Sequence, residues 1–449
     1  MRAMIRSMNR ILSFRGKIGI FAFLLLTFPT LLSAAEEGAP TIDKSDTAWI
    51  MAASALVLFM TIPGLAFFYG GLVHKRNVLS VLMQCFAITS VMTVIWTLFG
   101  YSLAFSEKAG GSLGKFIGGF DLALLKGGQF EELSGSIPLF LHFGFQMTFF
   151  IITPALMVGA FVERMKFSAI MLFCILWAIL VYLPVCHMVW GGNGILFDMG
   201  VIDLAGGIVV HITAGVGALV ACIVAGPRKG YPKSTFMPHN LPMTVCGTGM
   251  LWVGWYGFNG GSFLAADGNA ALAIVVTHIS ASVASIVWSS IEWAIHGKPS
   301  VLGFVTGAIA GLAAITPAAG EVGPLGALII GCVSGVVCFW ASTSLKRKLN
   351  YDDSLDVWGV HGVGGIVGTF LVAFLASASL GGKRGEDYSM ISQLGTQSIA
   401  IIGVAIYTAL ISFVLLKVVG AITGGLRVAE QEENAGLDIT SHGENAYND

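Results

Sequence analysis

The sequence contains few charged residues. Asp, Glu, Lys and Arg make up only 11% of its 449 residues, while 55% are hydrophobic. In soluble domains, roughly a quarter of all residues are charged. This balance excludes an ordinary soluble fold and predicts an all-α polytopic membrane protein. The net charge of −1 also argues against a nucleic-acid partner.

Two further absences narrow the class. No lysine falls at the centre of an apolar stretch, which excludes a retinal-type pump that needs a Schiff base there. The seven cysteines lie in or beside apolar runs without metal-type spacing, so we expect free thiols that act as small apolar side chains. A membrane zinc enzyme with His211 and His361 as ligands would need a third protein ligand, and none is evident nearby. The sequence predicts no metal site, no cofactor and no enzyme activity.

The apolar stretches predict eleven transmembrane helices within residues 36–420. Residues 1–35 have basic residues, an apolar run and small residues before Glu36, and are interpreted as a signal peptide rather than a retained first helix. The mature N-terminus would then lie outside the cytoplasm. Lys and Arg are more frequent in the connections that this topology places inside, so the positive-inside rule supports N-out and C-in.

An internal repeat is visible in the first ten spans. PGLAFFYGG (63–71) in the first span is similar to GWYGFNGG (254–261) in the sixth, and the fifth and tenth spans each carry one histidine. Because each half has five spans, we expect two inverted repeats at about 47–226 and 242–379, followed by an eleventh helix at about 394–419. Gly303, Gly307 and Gly311 predict close helix packing.

His211 and His361 lie in long apolar runs. A lone histidine there is usually a satisfied core residue. The second interpretation is functional, because ionisable groups within membrane spans tend to mark a substrate or proton path. Corresponding positions in an inverted repeat favour the second interpretation, because imidazole can donate, accept and relay protons near neutral pH.

Six segments together carry a resemblance to a known family. They are FQMTFFIITPALMVGAFVERMKF from Phe145, VWGG at Trp190, DLAGGIVVHITAGVGALVA from Asp203, GWYGFNGGS from Gly254, ITPAAG (315–320) and DVWGVHGVGGIVG from Asp356. In this order they resemble the Amt/Mep/Rh ammonium transporter family, and the bacterial Amt branch most closely. The resemblance covers the mature chain and implies an eleven-helix transporter in a bacterial inner membrane, assembled as a homotrimer with one pore per subunit.

The resemblance also implies roles for particular residues. Phe149, Trp190 and Ser262 match the external ammonium site, where an aromatic face attracts a cation by about 0.5–2 kcal/mol. Phe149 and Phe258 match the gate, and His211 and His361 match two hydrogen-bonded imidazoles that line the pore. The pore would deprotonate NH4+ and conduct NH3, with or without a separately relayed proton. Phe145 is a further candidate for the vestibule.

Two of these positions have simpler interpretations. Trp190 lies at the end of a span, where tryptophan is common at the membrane interface. The loop between Trp190 and Asp203 is one residue longer than the resemblance implies, so we expect an insertion there. Asp203 precedes the fifth span, where Asp is a favoured N-cap. The resemblance implies that Asp203 organises the external site; a direct role as proton acceptor is the alternative.

Residues 421–449 form an acidic segment that is too polar to span a membrane. Such a terminus is often disordered. GLR (425–427), GLD (436–438) and SHGENAY (441–447) resemble instead the regulatory tail of the family, which helps to dock a trimeric PII signalling protein on the cytoplasmic side. An ammonium sensor that signals through such a partner with little net transport is therefore the alternative function. The short tail leaves no room for an output domain.

Overall fold

The computed structural model describes residues 41–126 and 132–447. The predicted signal peptide, residues 1–35, lies outside the described residues. In the described part, eleven long helices follow one another along the chain. The first six are α1 (Lys44–Leu72), α2 (Lys75–Phe105), α3 (Leu139–Phe161), α4 (Phe167–Asp198, with a break after Trp190), α5 (Gly207–Ala225) and α6 (Leu241–Gly261).

The other five long helices complete the bundle. They are α7 (Gly268–His296), α8 (Val301–Ile315), α9 (Pro324–Leu349), α10 (Trp358–Leu375) and α11 (Met390–Ile422). A short helix, α12 (Glu430–Ala435), and a helical turn at Asp438–His442 lie in the tail. The strands Leu133–Ser134 and Ile137–Pro138 pair as a small antiparallel hairpin before α3.

Nine of the eleven long helices in the described ranges are long and apolar enough to cross a membrane. The other two are α6 and α8. With 15 residues, α8 is the shortest of the eleven, because it ends at Ile315, just before the Thr316-Pro317 pair, and proline cannot donate to the preceding helical turn. The coarse prediction of an all-α, multi-pass membrane protein is confirmed.

Glycines allow the helices to pack closely, as the sequence predicted. A Cβ on Gly307 or Gly311 of α8 would lie 2.8 or 2.5 Å from backbone oxygens of α7. Gly257 of α6 faces the backbone of α1 at Ala53 in the same way. Since lipid gives helices little hydrophobic reason to associate, such close backbone contact is a main source of packing energy. All seven cysteines are free.

Candidate functional site

Two cavities enter the helix bundle at different places. One, here named the Trp190 cavity, has a volume of about 450 Å³ and is lined by residues that include Trp190, Asp203 and Ser262. The other, the His361 cavity, has a volume of about 350 Å³ and is lined by residues that include His361 and Lys346. Each is large enough to hold several water molecules.

Stacked rings lie between the two cavities. The ring of Trp190 contacts that of Phe149 edge-on at 5.9 Å between centroids, and Phe149 stacks on Phe258 at 4.3 Å. Phe258 lies 6.0 Å from His211, and His211 lies 5.4 Å from His361. Phe149, Phe258 and His211 are each at most 1% exposed. The direct route between the cavities is therefore closed by a phenylalanine pair followed by a histidine pair.

Helices α5 and α10 cross at glycines, and this crossing brings the histidines together. A Cβ on Gly365 would lie 2.9 Å from Cβ of His211, and one on Gly215 would overlap the backbone of Gly362. Larger residues at these positions would separate the helices and thus the rings. The two histidines, 150 positions apart in sequence, become neighbours because both helices lack side chains at the contact.

The hydrogen bond expected between the two imidazoles is not formed. Among the described residues, neither ring nitrogen of His211 has a hydrogen-bond partner, nor does Nδ1 of His361. The rings lie nearly parallel, 21° apart. A buried nitrogen without a partner is costly, so these atoms are available to a small molecule that can donate or accept a proton.

Trp255 is a site residue that the sequence analysis missed. Its ring stacks on His211 with 5.4 Å between centroids, and its Nε1 donates a hydrogen bond of 2.8 Å to Oγ1 of Thr316. Thr316 in turn donates to the carbonyl oxygen of Leu312, one turn earlier in α8. Trp255 thus packs against one face of the His211 ring and restrains the orientation of that ring. Its position one turn before Phe258 was the available signal.

At the other end of the ring series, Asp203 organises the start of α5. One carboxylate oxygen accepts hydrogen bonds from the backbone N–H groups of Gly206 and Gly207, and the other accepts from Ile208 and Val209. Burial raises the pKa of Asp203 to about 6, although these four donors act to lower it. The N-cap residue of α5 is Gly206, so the interpretation of Asp203 itself as the N-cap is wrong. Asp203 lies three residues earlier, and its side chain accepts from the first N–H groups of the helix as a capping carboxylate does.

Trp190 is tied to the same turn. Its Nε1 donates to the carbonyl oxygen of Asp203 at 2.8 Å, so the two residues meet despite the long loop between them. Ser262 donates its hydroxyl proton to the carbonyl oxygen of Phe258 at 2.8 Å. The hydroxyl oxygen of Ser262 therefore keeps lone pairs for a donor in the Trp190 cavity.

The candidate Phe145 and its neighbour Gln146 occupy different surroundings. Phe145 is fully buried; its ring contacts Phe149 and faces Gly261 of α6. Gln146 and His142 line the Trp190 cavity instead, and Nδ1 of His142 is 2.9 Å from the hydroxyl of Tyr101. Successive residues of a helix point about 100° apart, which explains why adjacent positions differ.

A buried ion-pair network borders the His361 cavity. Arg228 bonds to Glu163 at 3.0 Å and to Asp352 at 2.8 Å, and all three side chains are less than a tenth exposed. Burial acts to raise the pKa of both carboxyl groups, but Arg228 outweighs it and the pKa values are lowered. The network therefore stabilises the fold at neutral pH and loses that contribution as the pH falls below about 4.

Replacing Arg228 with methionine is expected to destabilise the protein by about 3–5 kcal/mol, because two buried carboxylates would lose their partner. Thermal unfolding in detergent measures this. Lys229→Met is the matched control, since Lys229 pairs with Glu430 on the surface and exposed pairs contribute about 0–1 kcal/mol. Equal unfolding temperatures for the two variants would contradict the assignment.

The acidic tail packs on the rest of the chain. The carboxylate of Asp438 accepts from the backbone N–H groups of Leu79 and Ser80 at the start of α2. Val428 donates to the carbonyl oxygen of Arg164, next to the ion-pair network. The tail up to residue 447 therefore packs against the segments that carry the ion-pair network at the border of the His361 cavity.

These features define a multi-pass helical membrane protein with two cavities and a closed, ring-lined route between them. The model of the Ammonium Transporter Family matches residues 48–447. The chain belongs to this family.

Individual relatives agree with this assignment. An ammonium transporter of Bacillus subtilis is 46% identical over 91% of this chain and 99% of its own, and one of Aquifex aeolicus is 43% identical over 96% and 99%. Among solved structures, Mep2 of Candida albicans superposes with a TM-score of 0.80 at 33% identity, covering 87% of this chain and 88% of its own. A protein titled Sensor Amt Protein gives a TM-score of 0.82 at 28% identity, with coverages of 89% and 98%.

Proposed function

We propose that this protein transports ammonium by binding NH4+ in the Trp190 cavity, removing a proton and passing NH3 along the two histidines. The observation that carries the proposal is the series of rings between the two cavities. A bare cation in a medium of low dielectric costs tens of kcal/mol, so the stacked phenylalanines oppose passage of an ion. Unlike potassium, ammonium can give up its charge as a proton.

In this proposal all eleven long helices span a bacterial inner membrane, N-out and C-in, with two inverted five-helix repeats. The Trp190 cavity is then external and the His361 cavity is cytoplasmic. The distribution of Lys and Arg supports this orientation. The contact between His211 on α5 and His361 on α10 is consistent with a repeat whose two halves meet at the substrate path.

Each step of transport has a candidate group. The face of Trp190 recruits the cation weakly enough for release, and the Ser262 hydroxyl accepts one of its N–H groups. Asp203 keeps this site in shape through the backbone of α5. The Phe149/Phe258 pair excludes water, and the unpaired nitrogens of His211 offer hydrogen bonds to ammonia or a proton. The role of Asp203 is structural here, because its oxygens are already occupied by backbone donors.

Trp190→Leu is expected to change the transport rate or the preference for ammonium over potassium while the fold remains intact. The leucine keeps an apolar side chain but removes the aromatic face, worth about 0.5–2 kcal/mol for a cation, or roughly 2- to 30-fold. Transport assays at several ammonium concentrations, together with an unfolding curve, measure both effects. An unchanged concentration dependence would contradict a role in recruitment. Trp293→Leu, on the exposed surface of α7, serves as the control.

We further propose that three copies assemble as a homotrimer and that a trimeric PII protein docks on the cytoplasmic side. The packed tail supports the second point, because it presents Glu430 and other acidic residues next to the chain segment whose Arg228 lines the His361 cavity. Lys229 pairs with Glu430 there at 2.6 Å. A partner that contacts this tail would be placed next to the inner exit.

The test is an ammonium pulse applied to proteoliposomes, with a potassium pulse as control. A transient current with ammonium alone would support selective transport that moves charge. A rise of internal pH without current would mean that neutral ammonia passes alone. The absence of both a current and a pH change would overturn the transport proposal.

An ammonium sensor is the second candidate function. The similarity to the protein titled Sensor Amt Protein and the packing of the tail near the inner cavity favour it. Both functions use the same binding site, but only a transporter moves substrate in the pulse experiment. Variants that lack transport and still signal in cells would support the sensor.

A further inference from the structure

The two histidines are preceded by aspartates at the same distance. Asp203 lies eight residues before His211, and Asp353 lies eight residues before His361. Along a helix this spacing corresponds to about 12 Å. The motifs assign a role to Asp203 and none to Asp353.

The backbone between each aspartate and its histidine also has the same form. The third residue after the aspartate has a positive φ in both cases, 109° at Gly206 and 59° at Asp356. Its carbonyl oxygen accepts a 2.9 Å hydrogen bond from the residue four positions later, Val210 or Val360. Non-glycine residues seldom adopt positive φ, though Asp is among those that tolerate it. Both turns therefore fold the chain back over an aspartate at the start of the histidine helix.

The two carboxylates differ in how many partners they have. Both oxygens of Asp203 accept backbone donors. At Asp353, Oδ2 accepts from the N–H of Trp358 at 2.8 Å, whereas Oδ1 has no hydrogen-bond partner within the described part of the chain. Asp353 is only 1% exposed. A buried ionised oxygen without a donor is unfavourable, so the charged form of Asp353 is held by fewer hydrogen bonds than that of Asp203.

Charged and titratable groups surround Asp353 on several elements. Lys346 of α9 bonds to Asp356 at 2.8 Å and lines the His361 cavity with it. Tyr69 of α1, Cys222 of α5 and Tyr351 also interact electrostatically with Asp353. Burial raises the pKa of Asp353 to about 6; Asp356 adds to this effect and Lys346 opposes it. The carboxyl group therefore changes charge at a pH that the inner side of a cell can approach.

We propose that ionised Asp353 is a positioning residue that fixes the start of α10, and with it His361, so that protonation from the inner side lowers transport. This inference rests on the proposed function. When the carboxylate accepts a proton, it becomes a weaker acceptor for the N–H of Trp358. The first turn of α10 then loses its anionic cap, and this turn carries His361 at the wall of the inner cavity.

The test compares wild-type protein with Asp353→Asn, because asparagine keeps an acceptor for Trp358 but does not titrate. Right-side-out membrane vesicles are loaded at an internal pH of about 7.5 or about 5.5, with a constant external pH, and the initial uptake of isotopically labelled ammonium is measured. With a pKa of about 6, the ionised fraction falls about fourfold between these values. Lowering the internal pH should therefore reduce uptake by the wild type about fourfold more than it reduces uptake by the variant.

Asp438→Asn is the control, since Asp438 is an inner-side carboxylate that caps α2 rather than α10; it should keep the wild-type pH dependence. A fourfold fall that persists in Asp353→Asn would overturn the inference. If this variant does not transport, Asp353→Glu replaces it. A midpoint of the pH dependence of uptake equal to that of the wild type would then overturn the inference. Absence of wild-type uptake at both pH values would instead count against the proposed function.

Discussion

His211→Ala is expected to abolish ammonium transport or its discrimination against potassium. The His211 ring lies between Phe258 and His361 and closes the route between the cavities. Alanine leaves a gap there. Either ammonia then has no hydrogen-bond partner at this point of the route, or water and hydrated ions enter the gap. Proton transfer by a positioned imidazole typically contributes about 10²- to 10⁴-fold to a rate, so a loss of about a hundredfold or more is expected.

The measurement is the pulse experiment with ammonium and potassium on the same proteoliposomes. His278→Gln is a matched control, since His278 pairs with Tyr256 on the exposed side of α6 and α7 and lies outside the ring series. Unchanged transport of both ions by His211→Ala would refute the role of the histidine pair. A loss of potassium exclusion alone would assign His211 to selectivity.

Asp203→Ala is expected to cause the largest loss of stability together with a loss of transport. Four backbone N–H groups at the start of α5 would lose their acceptor. Leaving one buried donor unsatisfied costs about 1–3 kcal/mol, so the total is several kcal/mol unless water enters. The backbone carbonyl that accepts from Trp190 remains in the alanine variant, but the turn that positions this carbonyl would lose its side-chain hydrogen bonds, which should disturb the recruiting site.

Thermal unfolding in detergent and ammonium uptake together check this expectation. Asp203→Asn should retain part of both properties, because one acceptor oxygen remains. Asp267→Ala is the control: Asp267 caps α7 through two backbone N–H groups at an exposed position, where loss of a cap costs about 0.5–2 kcal/mol. Equal losses for the two alanine variants would show that Asp203 is an ordinary cap.

Motifs and resemblance were sufficient to find the residues that form the ring series. Phe149, Phe258, His211 and His361 were predicted from their segments, and the structure places them in contact. Trp255 was missed because tryptophan in an apolar helix carries no chemical signal of its own. Gln146 was missed because the neighbouring Phe145 looked more suitable for a vestibule, and apolar runs of this chain show little amphipathic periodicity from which a face can be inferred.

The environment of Asp353 could not be predicted from the sequence either. Its distance from His361 is visible in the sequence, but the missing hydrogen-bond partner of Oδ1 is a property of the packed state. Partners of a buried group come from distant segments, as Arg228 does for Glu163 and Asp352. Sequence spacing can place a carboxylate at a helix start, yet it cannot say how many donors will reach it.

The sequence by itself determined the class of the protein, because scarcity of charge and the length of apolar stretches are properties of composition that a bilayer constrains directly. It also determined the family and the positions of the two histidines. Only the tertiary structure decided which ring contacts which, which nitrogen or oxygen stays unpaired and where the two cavities end. These depend on how the glycine-lined helices cross, and crossing geometry is fixed by contacts between residues far apart in the chain.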